Sequence, residues 1–495
     1  MEPHLVFLIV FALYIVFGTV IALLSRKLGV KTTADYFVAG YRLGGFLASM
    51  TYAATTYSAF MMLGLVGYSY ATGIASLGFE LIYLVATIGF LTLVGPRMWR
   101  LARERKWITP SEMLSDLYAW RPLGTYVALT YMISLIPYTA AQLKGISEVT
   151  SSLGLSYGVG VAIASTILIA WIVLAGIWSV ATTDAYQGML MISSVIVLIV
   201  WTTAFLLPSK YISLAKVVDS LVNSSSGNLL DLTWSPEFFI SMSVPWIFFA
   251  ITNPHVVQRI YMPKDEKSYK IMVEYFALYG FIYTLATVSL GLLFRAYASI
   301  ALDPTVEQAL VRDRDSVTPM FLKLAHPLLA SVVYTSIIAA AISTANSIIL
   351  TVASSITRDL YERMVSAPNQ RVSKAVTIMS IAFLTVAAAL IAYYRPAFIV
   401  DLSVLSSVML IPLAPITLLG VYSKPSKAKS YSALASLLIG CSLTMALAIT
   451  KGPVRVLREA LMGIPTPLLI LTISTAIMLL PLLKQWLNVL YSKLS

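Results

Sequence analysis

The chain has 495 residues, of which 59% are hydrophobic and 11% charged, and its formal net charge is +12. Soluble domains carry about 25% charged residues, so this composition excludes a water-soluble globular protein and indicates a polytopic membrane protein. One cysteine and three histidines argue against a disulfide framework and against a thiolate or histidine metal centre.

Thirteen apolar runs are long enough to cross a membrane, and the first is interpreted as a retained helix because no basic leader or cleavage site accompanies it. The runs lie at 5–24, 46–73, 76–95, 123–151, 158–178, 184–207, 237–258, 271–294, 321–356, 375–394, 397–420, 428–450 and 464–485. The sequence therefore predicts an all-α protein with one transmembrane domain over 1–495.

Basic residues are concentrated in alternate loops. Roughly two thirds of the 34 Lys and Arg residues fall on one face of the thirteen-span arrangement. These loops lie at 26–42, 97–121, 259–270, 358–374, 424–429 and 484–493. Because basic loops stay in the cytoplasm, we expect a plasma-membrane protein with its amino terminus outside and its carboxyl terminus inside. The positive charge thus indicates orientation in the lipid bilayer and not a nucleic-acid partner.

The second span carries a small polar cluster, Ala53 to Ser58, where a lipid-facing helix would carry Leu, Ile or Val. A helix that unwinds at such a point exposes carbonyl oxygens, which are costly in hydrocarbon unless they line a cavity or coordinate an ion. Close helix packing through small residues is the alternative interpretation.

A second polar cluster lies in the second half of the chain, where Ser343, Thr344, Asn346 and Ser347 crowd an otherwise apolar span. Such hydroxyls either bond to their own helix or supply neutral oxygen ligands to a hard cation. One polar cluster in each half favours the second possibility.

The two halves predict a five-plus-five inverted-repeat core whose first helices are broken. The repeats are predicted at 46–207 and 237–420, with peripheral helices at 5–24 and 428–485. In the second repeat, the break is indicated by Pro245, Asn253 and Pro254.

Several segments resemble the sodium:solute symporter family in their order and spacing. They are DYFVAGYRLGG at 35–45, an A-x-x-x-S-x-x-x-x-x-G run at 54–64, PRMWRLARERKWITPSEML at 96–114, TTDAYQG at 182–188, NPHVVQR at 253–259, and AAAISTANS at 339–347 followed by DLYER at 359–363. The resemblance covers nearly the whole chain. It implies a secondary transporter rather than an enzyme, in which sodium moves inward with a small organic solute, such as proline or a small carboxylate.

The resemblance also implies where the transported sodium binds. The ligands would be the carbonyls of Ala54, Tyr57 and Ala340 and the hydroxyls of Ser343 and Thr344. Five neutral oxygens suit a monovalent hard cation better than calcium, which usually recruits carboxylates. The pattern of a few family members would place a second cation at Asp184, Asn346 and Ser347.

A solute site is implied beside the broken second span. Its candidate residues are Thr56, Phe60, Met61, Glu80, Tyr138 and Trp246. Glu80 stands where sugar-transporting relatives use a carboxylate, whereas Phe60 and Met61 are apolar at positions that are polar in those relatives. Trp246 and Tyr138 match pocket aromatics of proline-transporting relatives. Backbone N–H groups of the half-helices are expected to bind the carboxylate of the solute.

Charged residues within other spans leave alternatives open. Lys144 and Arg295 are interpreted as snorkelling to the membrane interface. A proton could replace sodium as the coupling ion, carried by Glu80, Asp184 or Asp401, although Ser343 and Thr344 favour sodium. A membrane sensor that binds solute without transporting it is a rival of another class, and no appended soluble domain supports it. The oligomeric state is not predicted.

Overall fold

The structure is a computed structural model that describes residues 2–29, 33–461 and 463–494. Within these ranges, side chains are described except at 22, 25–29, 33, 34, 36, 173–179 and 484–494. Helices form nearly all of the described chain. The two strands in the described part are Ala460–Leu461 (β1) and Ile464–Pro465 (β2), which pair antiparallel with Ala460 opposite Pro465.

Eleven helices precede the middle of the chain. They are α1 (Pro3–Gly29), α2 (Thr33–Val38), α3 (Gly45–Thr56), α4 (Val66–Thr72), α5 (Ala75–Leu93), α6 (Gly95–Arg105), α7 (Pro110–Leu117), α8 (Arg121–Ser134), α9 (Ile136–Ser152), α10 (Tyr157–Trp201) and α11 (Leu214–Val222). Short π-helical segments follow α3 at Phe60–Leu65 and α10 at Thr202–Leu206.

Thirteen helices form the rest. They are α12 (Pro236–Ile247), α13 (Phe249–Thr252), α14 (Pro254–Ile260), α15 (Glu266–Ala301), α16 (Pro304–Arg312), α17 (Val317–Leu322), α18 (Pro327–Ser355), α19 (Gln370–Tyr394), α20 (Ile399–Leu410), α21 (Leu413–Tyr422), α22 (Lys427–Lys451), α23 (Pro453–Arg458) and α24 (Thr466–Leu494). A π-helical segment, Ile356–Glu362, extends α18, and a 3₁₀ turn, Arg314–Ser316, precedes α17.

Eight helices of the described chain are long and apolar enough to cross a membrane, or nine if the bent pair α20 and α21 counts as one span. The predicted spans 46–73, 123–151 and 237–258 consist of shorter helical pieces, whereas 158–178 is the first part of the long helix α10. The multi-pass membrane architecture is thus confirmed, whereas the count of thirteen spans and the division into two repeats stay predictions.

α18 forms the centre of the bundle. In its apolar stretch, Pro327–Glu362, 83% of the most hydrophobic window is buried, against 22% for the stretch Pro3–Ile21 in α1. Buried helices of this kind face protein on all sides, so the hydroxyls of α18 contact other helices and not lipid. This placement brings the polar cluster of α18 against α3.

Both predicted breaks are present. α3 ends at Thr56, and Tyr57 adopts an extended backbone before the chain becomes helical again. The second break separates α12, α13 and α14, where Phe248 and Asn253 leave the helical conformation and Pro254 begins the last piece. Proline at that position lacks the N–H that a continuing helix would need, which favours an interruption.

Candidate transport site

The break after α3 releases backbone carbonyls because the following N–H groups are used elsewhere. Ala59 N–H donates to Gln142 Oε1 at 3.2 Å, and Phe60 N–H donates to Ser58 Oγ at 3.1 Å. In a continuous helix, these two donors would serve the carbonyls at 55–56. Those carbonyls must therefore find other partners.

Two hydroxyls of α18 contact carbonyl oxygens at the end of α3. Ser343 Oγ lies 2.8 Å from the Ala54 carbonyl oxygen and 2.9 Å from that of Ala340. Thr344 Oγ1 lies 3.2 Å from the carbonyl oxygens of both Ala54 and Thr55. The structure thus gathers two hydroxyls and three carbonyl oxygens, and four of the five predicted sodium ligands are among these residues.

Tyr57 is the fifth predicted sodium ligand. It follows the last residue of α3 with φ −89° and ψ 114°, so its carbonyl leaves the direction of the helix axis. No hydrogen bond in the described part of the chain joins Tyr57 to Ser343 or Thr344. Its ring stacks on Phe276 and Tyr279, with centroid distances of 5.8 Å in each case.

The second predicted cation position contains an arginine. Arg259 Nη2 donates to Ser347 Oγ at 2.6 Å and lies 3.8 Å from Asp184 Oδ2. Thr51 Oγ1 donates to the same carboxylate oxygen at 2.6 Å, and Thr55 Oγ1 lies 3.0 Å from Ser347 Oγ. A guanidinium therefore neutralises Asp184 where the sequence predicts a cation.

Arg259 is a residue that the sequence interpretation placed wrongly. The basic pattern assigns it to a cytoplasmic loop, but the structure buries it completely at the end of α14. Its pairing with Asp184 explains the burial, since a buried charge needs a partner. Asn346, the third predicted ligand, is buried, and its Oδ1 has no hydrogen-bond partner in the structure.

An aromatic cluster lies next to the first break. Trp246 is at its centre, with ring centroids of Phe60 at 5.5 Å and Tyr138 at 6.5 Å. The sequence named these three residues as solute-site candidates, and the structure brings them together. Further rings around Trp246 are those of Phe249 at 4.8 Å, Tyr83 at 5.5 Å and Phe79 at 6.3 Å. The sequence interpretation missed Tyr83 and Phe249, although their helical spacing from Glu80 and Trp246 could have indicated them.

Several polar atoms in and beside this cluster are buried and have no hydrogen-bond partner among the described residues. They are Thr56 Oγ1, Tyr83 Oη, Trp246 Nε1 and both ring nitrogens of His255. Native proteins pair nearly all buried polar atoms, so a concentration of unpaired polar atoms favours a place where a polar ligand binds. Met61, the remaining apolar candidate, is fully buried.

Glu80 places a carboxyl group beside this cluster, between Phe79 and Tyr83 on α5. It is 2% exposed and stands one helical turn before Tyr83 on the same helix. No ion pair or hydrogen bond connects its carboxylate with the rest of the described chain. A buried carboxylate of this kind is costly unless a ligand or a proton compensates it.

Lys144 and Arg295 do not snorkel to the interface, and that interpretation is wrong. Lys144 Nζ lies 2.8 Å from Asp315 Oδ2, and Arg295 Nη2 lies 3.1 Å from Glu307 Oε1. Both cations are buried because carboxylates from the segment 302–316 pair with them. Asp315 lies far from Lys144 in sequence, so no local pattern could indicate that pair, whereas Glu307 lies on α16, the helix that follows Arg295.

Two broken helices, a cluster of neutral oxygens and an adjoining aromatic cluster together indicate a class of protein, the secondary transporters. Secondary transporters bind ions and solutes at such helix breaks, where irregular backbone lines a cavity. Comparisons with known proteins agree with this class. The model of the sodium:solute symporter family matches residues 36–440.

The chain therefore belongs to the sodium:solute symporter family. It is 26% identical to the sodium/pantothenate symporter of Escherichia coli, with 90% of this chain and 91% of the relative covered. It is 25% identical to the sodium/proline symporter of Haemophilus influenzae, with 77% and 76% covered. Because members of this family are sodium:solute symporters, the chain is a membrane transporter and not an enzyme, and sodium is its co-transported ion.

A solved structure shows the same fold. The substrate-bound, outward-open structure of a Na⁺-coupled sialic acid symporter matches with a TM-score of 0.73 and 18% sequence identity. The match covers 96% of this chain and 97% of the other.

Proposed function

We propose that this chain imports a small zwitterionic solute, most simply an amino acid such as proline, together with sodium by alternating access. The observation that carries the proposal is the contact of Ser343 and Thr344 with the Ala54 carbonyl at the end of α3, beside the aromatic cluster. Coupling requires ion and solute to bind near the same mobile helix break, and this arrangement meets that requirement.

Sodium would bind among the oxygens of Ala54, Ala340, Ser343 and Thr344, with the carbonyl of Tyr57 completing the set. The hydroxyls now donate to these carbonyls, so a cation would take the place of the donated hydrogens. A second cation at Asp184 would have to displace the guanidinium of Arg259. We therefore assign the coupling ion to the first cluster.

The charge of Glu80 supports a solute with a protonated amine. An unpaired carboxylate attracts an ammonium group and repels a simple acid, and surrounding aromatic faces stabilise a cation further. The unpaired donors Trp246 Nε1 and Thr56 Oγ1 would then bind the carboxylate of the solute. The half-helix N–H groups expected for this role at Ala59 and Phe60 are already used by protein acceptors.

The experiment is uptake by proteoliposomes under an inward sodium gradient, with proline, acetate, lactate, pantothenate and glucose compared in one preparation. We expect proline to be taken up best. Replacement of Glu80 by Gln should reduce proline uptake at least about tenfold, because the lost pairing is worth about 1.5–3 kcal/mol. Glucose uptake exceeding that of proline would contradict the proposal and identify Glu80 as a hydroxyl acceptor.

Glu80 also favours one second candidate, a proton-coupled transporter of the same fold. Asp184 and Asp401 are paired with Arg259 and Arg314, which leaves Glu80 as the carrier candidate without a cationic partner in the described chain. In that case, uptake would follow a proton gradient in sodium-free buffer. Sodium-free uptake that Glu80→Gln abolishes would establish this candidate instead.

A further inference from the structure

A cavity lies on the predicted external side of the aromatic cluster. Its volume is about 430 Å³, within the usual size range of small-molecule sites. Three segments predicted to be external meet around it, namely 223–235, the turn Arg314–Ser316 and α23, together with the end of α4. The cavity therefore has contributions from distant parts of the chain.

Backbone contacts fix these segments against α4. A side chain at Gly67 would meet the Arg314 carbonyl oxygen at 1.9 Å, so only glycine permits this approach. Thr233 Oγ1 donates to the Thr72 carbonyl at 2.9 Å, and Ile74 N–H donates to the Leu229 carbonyl at 2.8 Å. The cavity walls are thus held in place by the same helix that follows the first break.

An aromatic wall connects this cavity with the inner cluster. Tyr68 and Trp234 meet edge to face at 5.2 Å, and Trp234 contacts Phe79 at 5.9 Å. Phe79 in turn lies 6.3 Å from Trp246, the centre of the proposed solute site. A solute that approaches from the predicted external side would therefore meet this outer cavity before the aromatic cluster around Trp246.

The charges of the outer cavity are unbalanced. Arg314 pairs with Asp401 at 2.8 Å and stacks over Tyr68 at 4.1 Å. Arg458 lies over the Phe238 ring at 6.0 Å, and no described carboxylate is within ion-pair distance of it. Neither Asp nor Glu is among the described residues that line the cavity.

Two buried donors add to this positive character. Trp234 Nε1 and Arg314 Nε are buried and have no hydrogen-bond partner in the structure. A guanidinium beside unpaired N–H groups is suited to bind a carboxylate with charge-assisted hydrogen bonds. The aromatic rings of Tyr68, Trp234 and Phe238 would cover the apolar part of such a ligand.

We propose that this outer cavity, formed around Arg458, Arg314 and Trp234, is a separate external binding site for a small carboxylate. This second proposal rests on the proposed function in one respect, namely that the transported solute carries a carboxylate. The site captures the solute from outside before it reaches the inner cluster.

The test is equilibrium dialysis of radiolabelled benzoate against the purified full chain in sodium-free buffer. We expect Arg458→Gln to weaken benzoate binding about tenfold, because it removes the unpaired guanidinium. Arg455→Gln is the matched control, since Arg455 lies on the same helix, pairs with Glu459 at 3.7 Å and does not line the cavity. The Arg455→Gln variant should bind benzoate as tightly as the unchanged protein. Neutral benzamide should bind neither the unchanged protein nor the Arg455→Gln variant.

Equal benzoate affinity in the two arginine variants would overturn the proposal. So would binding that Trp246→Ala abolishes and Arg458→Gln preserves, because the probe would then occupy the inner cluster. Loss of benzoate binding in phosphatidylglycerol nanodiscs but not in phosphatidylcholine nanodiscs would assign the cavity to a lipid phosphate instead. The dialysis measures binding and not transport. If benzoate binding depends on Arg458 but sodium-driven uptake fails, only the proposed function is refuted.

Discussion

At the scale of single residues, side chains that are polar within an apolar span were the most predictable. Ser343 and Thr344 could be recognised because hydroxyls have no favourable place in lipid, and the structure places both against the first break. Arg259 could not be recognised, because an arginine after a span resembles a loop residue until its partner is known. Its partner, Asp184, comes from a different helix.

The Asp184–Arg259 pair permits a test by a double-mutant cycle. Asp184→Asn and Arg259→Met should each destabilise the protein by about 3–5 kcal/mol, since either change leaves one buried charge without its partner. The double variant should lose less than the sum of the two, because no charge is left unpaired. Melting temperatures in detergent measure the three changes.

The exposed pair Glu266–Lys270 provides the control for that cycle. Neutralising these two residues singly and together should give additive, small changes, because solvent screens exposed pairs. Strictly additive losses at Asp184 and Arg259 would show that the guanidinium does not stabilise the carboxylate.

At the scale of elements, composition predicted where helices break but not where the pieces end. The polar cluster from Ala53 to Ser58 and the prolines at 245 and 254 indicated the two interruptions. The end of α3 depends on tertiary partners, such as Gln142 on α9, which accepts the Ala59 N–H. Hydropathy alone does not fix the span count for the same reason, because broken spans consist of short helices.

At the scale of the whole molecule, the helices are joined on both faces of the bundle. On one face, Lys144 pairs with Asp315, and Thr318 Oγ1 donates to the Met62 carbonyl at 2.5 Å. On the other, Ser111 Oγ donates to Asp359 at 2.6 Å. Alternating access would require each set of contacts to separate in turn.

The orientation of the molecule in the membrane can be tested with single cysteines in a Cys441→Ser background. Glu104 and Glu266 are exposed on the basic face, and Asn228 is exposed on the opposite face. An impermeant maleimide added outside intact cells should label cysteine at position 228 and leave positions 104 and 266 unlabelled. Labelling at 104 or 266 from outside would reverse the predicted orientation.

The central claim is that the hydroxyls of α18 bind the sodium that drives solute import. The most direct measurement is the sodium dependence of proline uptake in proteoliposomes containing Ser343→Ala combined with Thr344→Ala. We expect the sodium concentration for half-maximal uptake to rise at least about tenfold, since two ligand oxygens are lost. Ser354→Ala is the control, because the Ser354 hydroxyl donates to the Thr351 carbonyl within α18. An unchanged half-maximal sodium concentration in the double variant would contradict the account.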